Sequence, residues 1–418
     1  MDMNFDFNSP IEFEMPKSSP SIIKVIGVGG GGGNAVNHMF REGIHDVTYV
    51  LCNTDRKALE DSPVPTHLQL GKDGLGAGNR PEKARAAAME SIEEIKQMLS
   101  DGTRMVFVTA GMGGGTGTGA APIIAQCAKD MGILTVGIVT IPFLFEGTKK
   151  IIQAFDGVIE ISKHVDALLV INNERLREIY QDFSVSNAFA KADDTLSIAA
   201  KSIAEIITMR GIINLDFNDV TTVLKNGGVA IMSTGYGEGS GRVSKALEAA
   251  LHSPLLNNND IYNSRKILLN INFCADNKQS DLMMEEMNEV NDFMSKFNDD
   301  VEVKWGLATD PTLGNKVKIT ILSSGFGLRG IIGVTEREEE KERETENKYG
   351  DLFADYYSNK DSAAPKLHPK VFLYDENNCD NDDVIALVDG KPTLTRTDDD
   401  RDNIKELVKD LVKDGETL

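Results

Sequence analysis

Two glycine runs constrain this chain more than any other feature. The first is Gly27–Gly33, broken only by Val28; the second is Gly111–Gly119, interleaved with Met112, Thr116 and Thr118. Each follows an apolar run that reads as a buried strand, Ile22–Val28 and Met105–Ala110. Each precedes a segment of helical periodicity, Asn34–Arg41 and Ala120–Met131. Glycines at a strand-to-helix junction let backbone N–H groups approach an anion closely, and the helix that follows adds the positive end of its dipole. The pattern predicts an α/β fold with anion-binding turns at its strand ends.

The flanking sequence extends this pattern. Val47–Cys52, Thr135–Ile141 and Ala167–Ile171 read as further strands, while Glu82–Leu99, behind Pro81 at a first helical position, and Lys149–Lys163 read as helices. Such alternation implies a parallel sheet covered by helices on both faces. Asn187–Met209 then carries Phe189, Ala192, Leu196, Ala199, Ile203 and Ile206 at helical spacing, a stripe too long for a simple crossover. Beyond it come a helix at Val243–Leu251, a strand at Lys266–Phe273, a helix at Leu282–Phe297, and strands at Val301–Leu307 and Lys316–Leu322. This order suits a second, smaller α/β domain. From about Thr335 the chain turns acidic and poor in apolar residues, the signature of a disordered tail.

Composition excludes some functions. With 418 residues the chain has room for two domains and a tail. A net charge of −21 would repel a nucleic-acid backbone, so nucleic acid is not an expected partner. There is no apolar run long enough for direct membrane insertion, and Met1–Pro20 lacks the pattern of a secretory signal. Cys52, Cys127, Cys274 and Cys379 lie far apart without metal-ligand spacing, which suits reduced thiols in a cytoplasmic protein and no metal held by side chains.

Gly27, Gly29 and Gly32 match G-x-G-x-x-G, so a nicotinamide-dependent oxidoreductase is one reading of the first run. The second run weighs against it, because a dinucleotide needs one such turn. Two turns at neighbouring strand ends suit a triphosphate, and no Walker-type G-x-x-x-x-G-K-[ST] loop is present.

The core Gly-Gly-Gly-Thr-Gly-Thr-Gly of Gly113–Gly119 resembles the signature loop of the tubulin/FtsZ family, and Ala110–Met112 and Ala120–Pro122 beside it are similar to the bacterial branch. Similar segments follow in order: Gly29–Asn34, Asn53–Asp55, Gly74–Gly78, Pro142–Gly147 and Asn214–Val220. The resemblance covers roughly residues 21–330. It implies a tubulin/FtsZ fold divided into a disordered segment 1–20, a Rossmann-like GTP-binding domain 21–186, a central helix 187–209, a catalytic loop 210–220, a smaller α/β domain 221–330, and an acidic linker and tail 331–418.

The resemblance further implies that Gly30, Gly31, Gly32, Gly33, Asn34, Gly115, Thr116 and Gly117 contact phosphates of GTP, bound with Mg²⁺, and that Glu146 and Lys150 lie by its sugar and phosphates. Lys150 stands where the family often has Arg. Phe189 would stack on guanine while Asn173 and Asp193 hydrogen-bond to it; a carboxylate accepts from guanine N1–H and its exocyclic amine, a donor pair adenine lacks. Taken alone, Phe189 also fits a core position, Asp193 beside Asp194 a solvated acidic face, and Glu146 a helix-start carboxylate.

By the same resemblance, Asp216 and Asp219 are the catalytic pair. They stand far along the chain from the glycine runs and would act on the GTP of the next subunit in a head-to-tail filament. The function implied is a self-polymerising GTPase of the mid-cell division ring. A tubulin-like filament for DNA segregation is the alternative within the fold. Division proteins or a membrane tether would dock on the tail, where Val384–Thr397 and Asn403–Lys413 are the candidate segments.

Overall fold

The alternation read from the sequence is present. In chain order the first half contains β1 (Ile23–Val28), α1 (Gly29–Glu42), β2 (Val47–Asn53), α2 (Arg56–Glu60), β3 (His67–Gln69), α3 (Pro81–Glu90), α4 (Ile92–Leu99), β4 (Met105–Gly111), α5 (Gly115–Asp130), β5 (Leu134–Ile141), α6 (Thr148–Ser162), β6 (Ala167–Asn172) and α7 (Asn173–Ile179). The long helix is α8 (Val185–Thr208). After it come β7 (Gly211–Ile213), α9 (Phe217–Leu224), β8 (Gly228–Glu238), α10 (Arg242–Leu251), β9 (Lys266–Phe273), α11 (Met287–Met294), β10 (Glu302–Thr309) and β11 (Lys316–Phe326). This computed structural model describes residues 21–326 except 45, 180–183, 210, 253–260, 276–279 and 298–300. The segment 1–20 and the tail 331–418, with Val384–Thr397 and Asn403–Lys413, lie outside the described residues.

The strands form one sheet of order β3-β2-β1-β4-β5-β6-β8-β11-β9-β10-β7. From β3 to β6 every pairing is parallel, and β1, β4, β5 and β6 are buried along nearly their whole length, as helices on both faces require. The second half is mixed: β11 runs antiparallel to β8 and β9, β9 is parallel to β10, and β7 is antiparallel to β10 at the edge. The halves meet where β6 and β8 pair through Ala167↔Gly228 and Leu168↔Val229 alone.

Helix α8 packs beside that junction. Its stripe of Leu196, Ala199, Ala200, Ile203, Ala204 and Ile206 is buried against residues of both halves, among them Met39, Val136, Met232 and Leu322. Fully burying Leu196 or Ile203 contributes on the order of 1.5–3 kcal/mol each. A separate cluster, including Val243, Leu269, Ile271, Phe293 and Ile319, lies wholly in the second half.

Some boundaries differ from those read in the sequence. Both glycine runs enter their helices: α1 begins at Gly29 and α5 at Gly115, ahead of the expected starts. Glycine disfavours a helix when the chain is considered alone, and here the neighbouring backbones override it. A Cβ on Gly32 would stand 2.2 Å from the Thr109 carbonyl oxygen, and one on Gly117 would stand 2.4 Å from that of Gly111. The helix expected across Glu82–Leu99 is broken at Ser91, whose hydroxyl accepts from the Gly71 N–H. The stretch 210–220 holds β7 and the start of α9, so Asp216 and Asp219 stand at a helix start. The border expected after residue 220 falls inside α9.

Candidate functional site

The strand order reverses between β1 and β4, the place in an open α/β sheet where helices depart to opposite faces and leave a crevice at the carboxyl edge. Both glycine runs stand at that edge, and they touch. A Cβ on Gly29 would meet the Gly117 nitrogen at 2.9 Å and Thr116 Cβ at 3.1 Å, while one on Gly31 would meet Gly111 Cα at 3.2 Å. Only glycine permits this approach, and Gly29 also takes φ +72°, where L side chains are strained. Around Gly30, Gly33 and Gly114, by contrast, an added Cβ would find open space. The glycines thus divide into those that join the loops and those that leave room beside them.

Neither helix has a side-chain cap: Val28 and Gly114, both extended, offer no side-chain acceptor to the first turns of α1 and α5. Their leading N–H groups and helix dipoles converge on one crevice, a combination suited to an anion. The Gly113 N–H is anchored by Thr118 Oγ1 at 2.9 Å, and Gln153 Nε2 of α6 holds the Gly113 and Gly114 carbonyls at 2.9 and 3.0 Å. Thr116 Oγ1 lies 2.7 Å from Thr54 Oγ1, which brings the segment after β2 into the crevice. The sequence placed no role on Thr54; its only signal was the family-like Asn53–Asp55.

The next two strand ends supply the rest. After β5, Glu146 Oε1 accepts from the Phe143 N–H at 3.0 Å and Oε2 from Lys150 Nζ at 3.2 Å, so part of its work is to shape this turn. After β6, Asn173 is buried, and its side-chain oxygen makes no hydrogen bond among the described residues. Such an orphaned acceptor costs free energy unless a ligand donates to it. Its neighbour Glu174 accepts from the Leu144 N–H at 3.0 Å, tying the two strand ends together.

Helix α8 closes the group. Phe189 is 39% exposed and so is not a core residue; it stands edge-on to Phe143, ring centres 5.1 Å apart, and to Phe145 at 6.2 Å. One turn beyond Asp193, the Ser197 hydroxyl lies 3.3 Å from the Ala35 carbonyl and 3.2 Å from His38 Nδ1, locking α8 onto α1. The adjacent acids differ. Asp194 pairs with Lys191, whereas burial pushes the Asp193 carboxyl up to about 7. A desolvated carboxyl on the helix that packs against α1 is a candidate ligand group. Glu146, Lys150, Asn173, Phe189 and Asp193 therefore gather with the glycine loops at one edge of the sheet.

Asp216 and Asp219 do not. They form a reciprocal cap on α9: Asp216 Oδ1 accepts from the Asn218 and Asp219 N–H groups at 2.8 and 2.9 Å, and Asp219 Oδ2 accepts from the Asp216 N–H at 3.1 Å. Between them in sequence, Phe217 lies under the Arg104 guanidinium, 4.9 Å from ring centre to Cζ. Arg104 immediately precedes β4, and the second glycine loop follows it. The seven residues of that strand span about 20 Å, so the carboxylates stand at the opposite edge of the sheet from the loops.

Family models match three stretches of the chain: the GTPase domain of the tubulin/FtsZ family at residues 22–181, the C-terminal domain of the FtsZ family at 228–327, and a further FtsZ C-terminal model at 366–410. The last of these corrects the expectation that the resemblance ends near residue 330. The cell division protein FtsZ of Porphyromonas gingivalis is 52% identical over 400 residues, covering 90% of this chain and 86% of that one. The FtsZ of Azotobacter vinelandii is 46% identical, covering 76% and 81%. Among solved structures, an empty FtsZ dimer from M. jannaschii superposes with a TM-score of 0.67 at 38% identity, covering 74% of this chain and 89% of that one. CetZ1 from Haloferax volcanii, at 22% identity and a TM-score of 0.62, shares the fold. The GTPase match spans the first glycine run, where an oxidoreductase would have placed its dinucleotide, and leaves that reading without support. By these similarities, in sequence and in fold, the chain belongs to the tubulin/FtsZ family, with the family's GTPase domain ahead of an FtsZ C-terminal domain.

Proposed function

We propose that this protein is the GTP-hydrolysing, filament-forming subunit of a cell-division ring, and that its catalytic site is completed between head-to-tail subunits. The single observation that carries the second half is the separation of about 20 Å between the glycine loops and the Asp216–Asp219 pair. Carboxylates that far from their own nucleotide can act only on a neighbour's. Gly30, Gly31, Gly32, Gly33 and Asn34 with Gly115, Thr116 and Gly117 would cradle the phosphates; Glu146 and Lys150 would flank the sugar side; Phe189, Asn173 and Asp193 would take the guanine.

The loops offer amide N–H groups and hydroxyls rather than a carboxylate cluster, a donor set that fits Mg²⁺ entering with the triphosphate and retaining water, with Thr116 and Thr54 as the nearby hydroxyl oxygens. Mg²⁺ held there would supply charge neutralisation of the phosphate oxygens. The protein's own part is orientation. Asp216 and Asp219 would hold a water in line with the γ-phosphate, whose bond to the leaving diphosphate breaks as the water oxygen adds. A contact that repeats by the same operator without closing gives an open filament. Assembly at mid-cell in the cytoplasm, and docking of division proteins or a membrane tether on the tail, complete the proposal; the FtsZ C-terminal match at 366–410 supports a docking role for that stretch.

The test is phosphate release with GTP and Mg²⁺ across a range of protein concentrations, with light scattering in parallel. The rate per subunit is expected to rise steeply above a threshold at which scattering appears. Asp216→Ala should bind GTP within about twofold of the parent and lose at least 10²-fold in turnover, on the order expected for removing a water-positioning base. A concentration-independent rate, or normal turnover by Asp216→Ala, would overturn the intersubunit mechanism.

A further inference from the structure

Lys304 reaches the Asp216–Asp219 cap from another strand. It lies on β10, and its Nζ stands 3.1 Å from Asp219 Oδ1, while the other oxygen of Asp219 is occupied by the Asp216 N–H at 3.1 Å. Asp219 is thereby held at both oxygens, and Asp216 in turn is fixed through the N–H groups of Asn218 and Asp219. Among the described residues, two cations near the pair are engaged elsewhere: Lys266 Nζ donates to the Thr222 carbonyl at 2.7 Å, and the Arg104 guanidinium covers Phe217. Glu302, two residues back on β10, is the acid that shares the Lys304 face.

We propose that Lys304 is a positioning residue for hydrolysis, holding the Asp219 carboxylate ionised and aimed outward before the neighbouring subunit's nucleotide arrives. This rests on the reading that Asp216 and Asp219 act on the next subunit's GTP. The chemistry requires something of the kind. Docking brings two carboxylates toward a polyphosphate, a like-charge approach that favours protonating an acid, and a protonated Asp219 would lose an acceptor for the water. Hydrogen bonding from the Asp216 backbone, and then Lys304, hold the Asp219 carboxyl below the usual carboxylate range. The pair is only partly exposed, at 36% and 26%, and a docked subunit would dehydrate it further. Dehydration strengthens the pairing.

The experiment compares Lys304→Met, Lys304→Arg, Asp219→Asn and the Lys304→Met/Asp219→Asn double variant in the full chain. GTP affinity, sedimentable polymer and turnover per subunit are measured from pH 5 to 8. Lys304→Met is expected to bind GTP as the parent does, to lose about 10-fold in turnover, and to show an acid limb of turnover moved to higher pH, whereas Lys304→Arg restores most of both. Acting through Asp219, the Lys304 change should cost nothing further in the Asp219→Asn background; a merely structural role predicts multiplied losses. An unmoved acid limb, an Arg variant no better than Met, or multiplied losses in the double variant would each overturn the positioning role. Normal turnover by Asp219→Asn itself would instead overturn the intersubunit reading beneath it.

Discussion

At the residue scale, function and stability pull apart at Asp193. Its carboxyl is desolvated without a compensating partner cation among the described residues, and burial pushes it up to about 7. Folding therefore favours its protonated form, so the contribution to stability is intact at acid pH and is lost as pH rises from the ordinary carboxylate range through about 7. Asp193→Asn should stabilise the nucleotide-free protein at pH 8 by roughly 2–4 kcal/mol, read as a higher Tm, while weakening GTP binding. In the proposed base contact guanine would donate to the ionised form, so the parent's GTP affinity should fall by up to about 10-fold per pH unit below 7, and the variant's should not. Equal pH dependence of binding in the two proteins would remove Asp193 from the base contacts. The family-like pattern singled out Phe189 and Asp193 as candidates, but it did not give their state. Periodicity placed Phe189 equally well in the core, and no sequence signal records that Asp193 is desolvated while Asp194 is paired.

At the element scale, the starts of α1 and α5 carry the site because their glycines divide by what surrounds them. Gly30 has room for a methyl group and Gly32 has none. Gly30→Ala should leave the nucleotide-free fold as stable or raise it by up to about 1 kcal/mol, since alanine is the better helix former, yet weaken GTP binding by at least 10-fold if phosphate occupies that space. Gly32→Ala should destabilise the nucleotide-free protein by more than about 2 kcal/mol, because its Cβ would enter the Thr109 carbonyl oxygen. Thermal unfolding without nucleotide, beside nucleotide affinity, separates the two; a Gly30→Ala protein with parental affinity would move the phosphates away from α1. The two runs announced an anion site in the sequence. Which glycines serve packing and which face the ligand depends on backbones some 80 residues apart in the chain, and only the tertiary contact decides it.

At the scale of the whole molecule, a single sheet carries both functional edges: the loops at the carboxyl ends of β1 and β4, and the Asp216–Asp219 cap against the far end of β4. On the proposed mechanism each subunit carries half a site at each pole. Mixing Asp216→Ala subunits with subunits of a GTP-binding-deficient loop variant should give turnover approaching about a quarter of the parent's, as random head-to-tail pairing requires, although either variant alone is inactive. Absence of complementation in mixed polymer would mean that each chain uses its own carboxylates. The sequence by itself determined the parallel alternation, the two anion-binding turns and the long apolar stripe of α8, because strand and helix periodicities and glycine runs are local properties. Only the tertiary structure decided that the two loops share one crevice, that the Asn173 oxygen finds no partner among the described residues, and that Asp219 is held by Lys304. Those facts depend on which distant segments a strand order brings together, and pairing between segments far apart in the chain leaves no periodic trace in either of them.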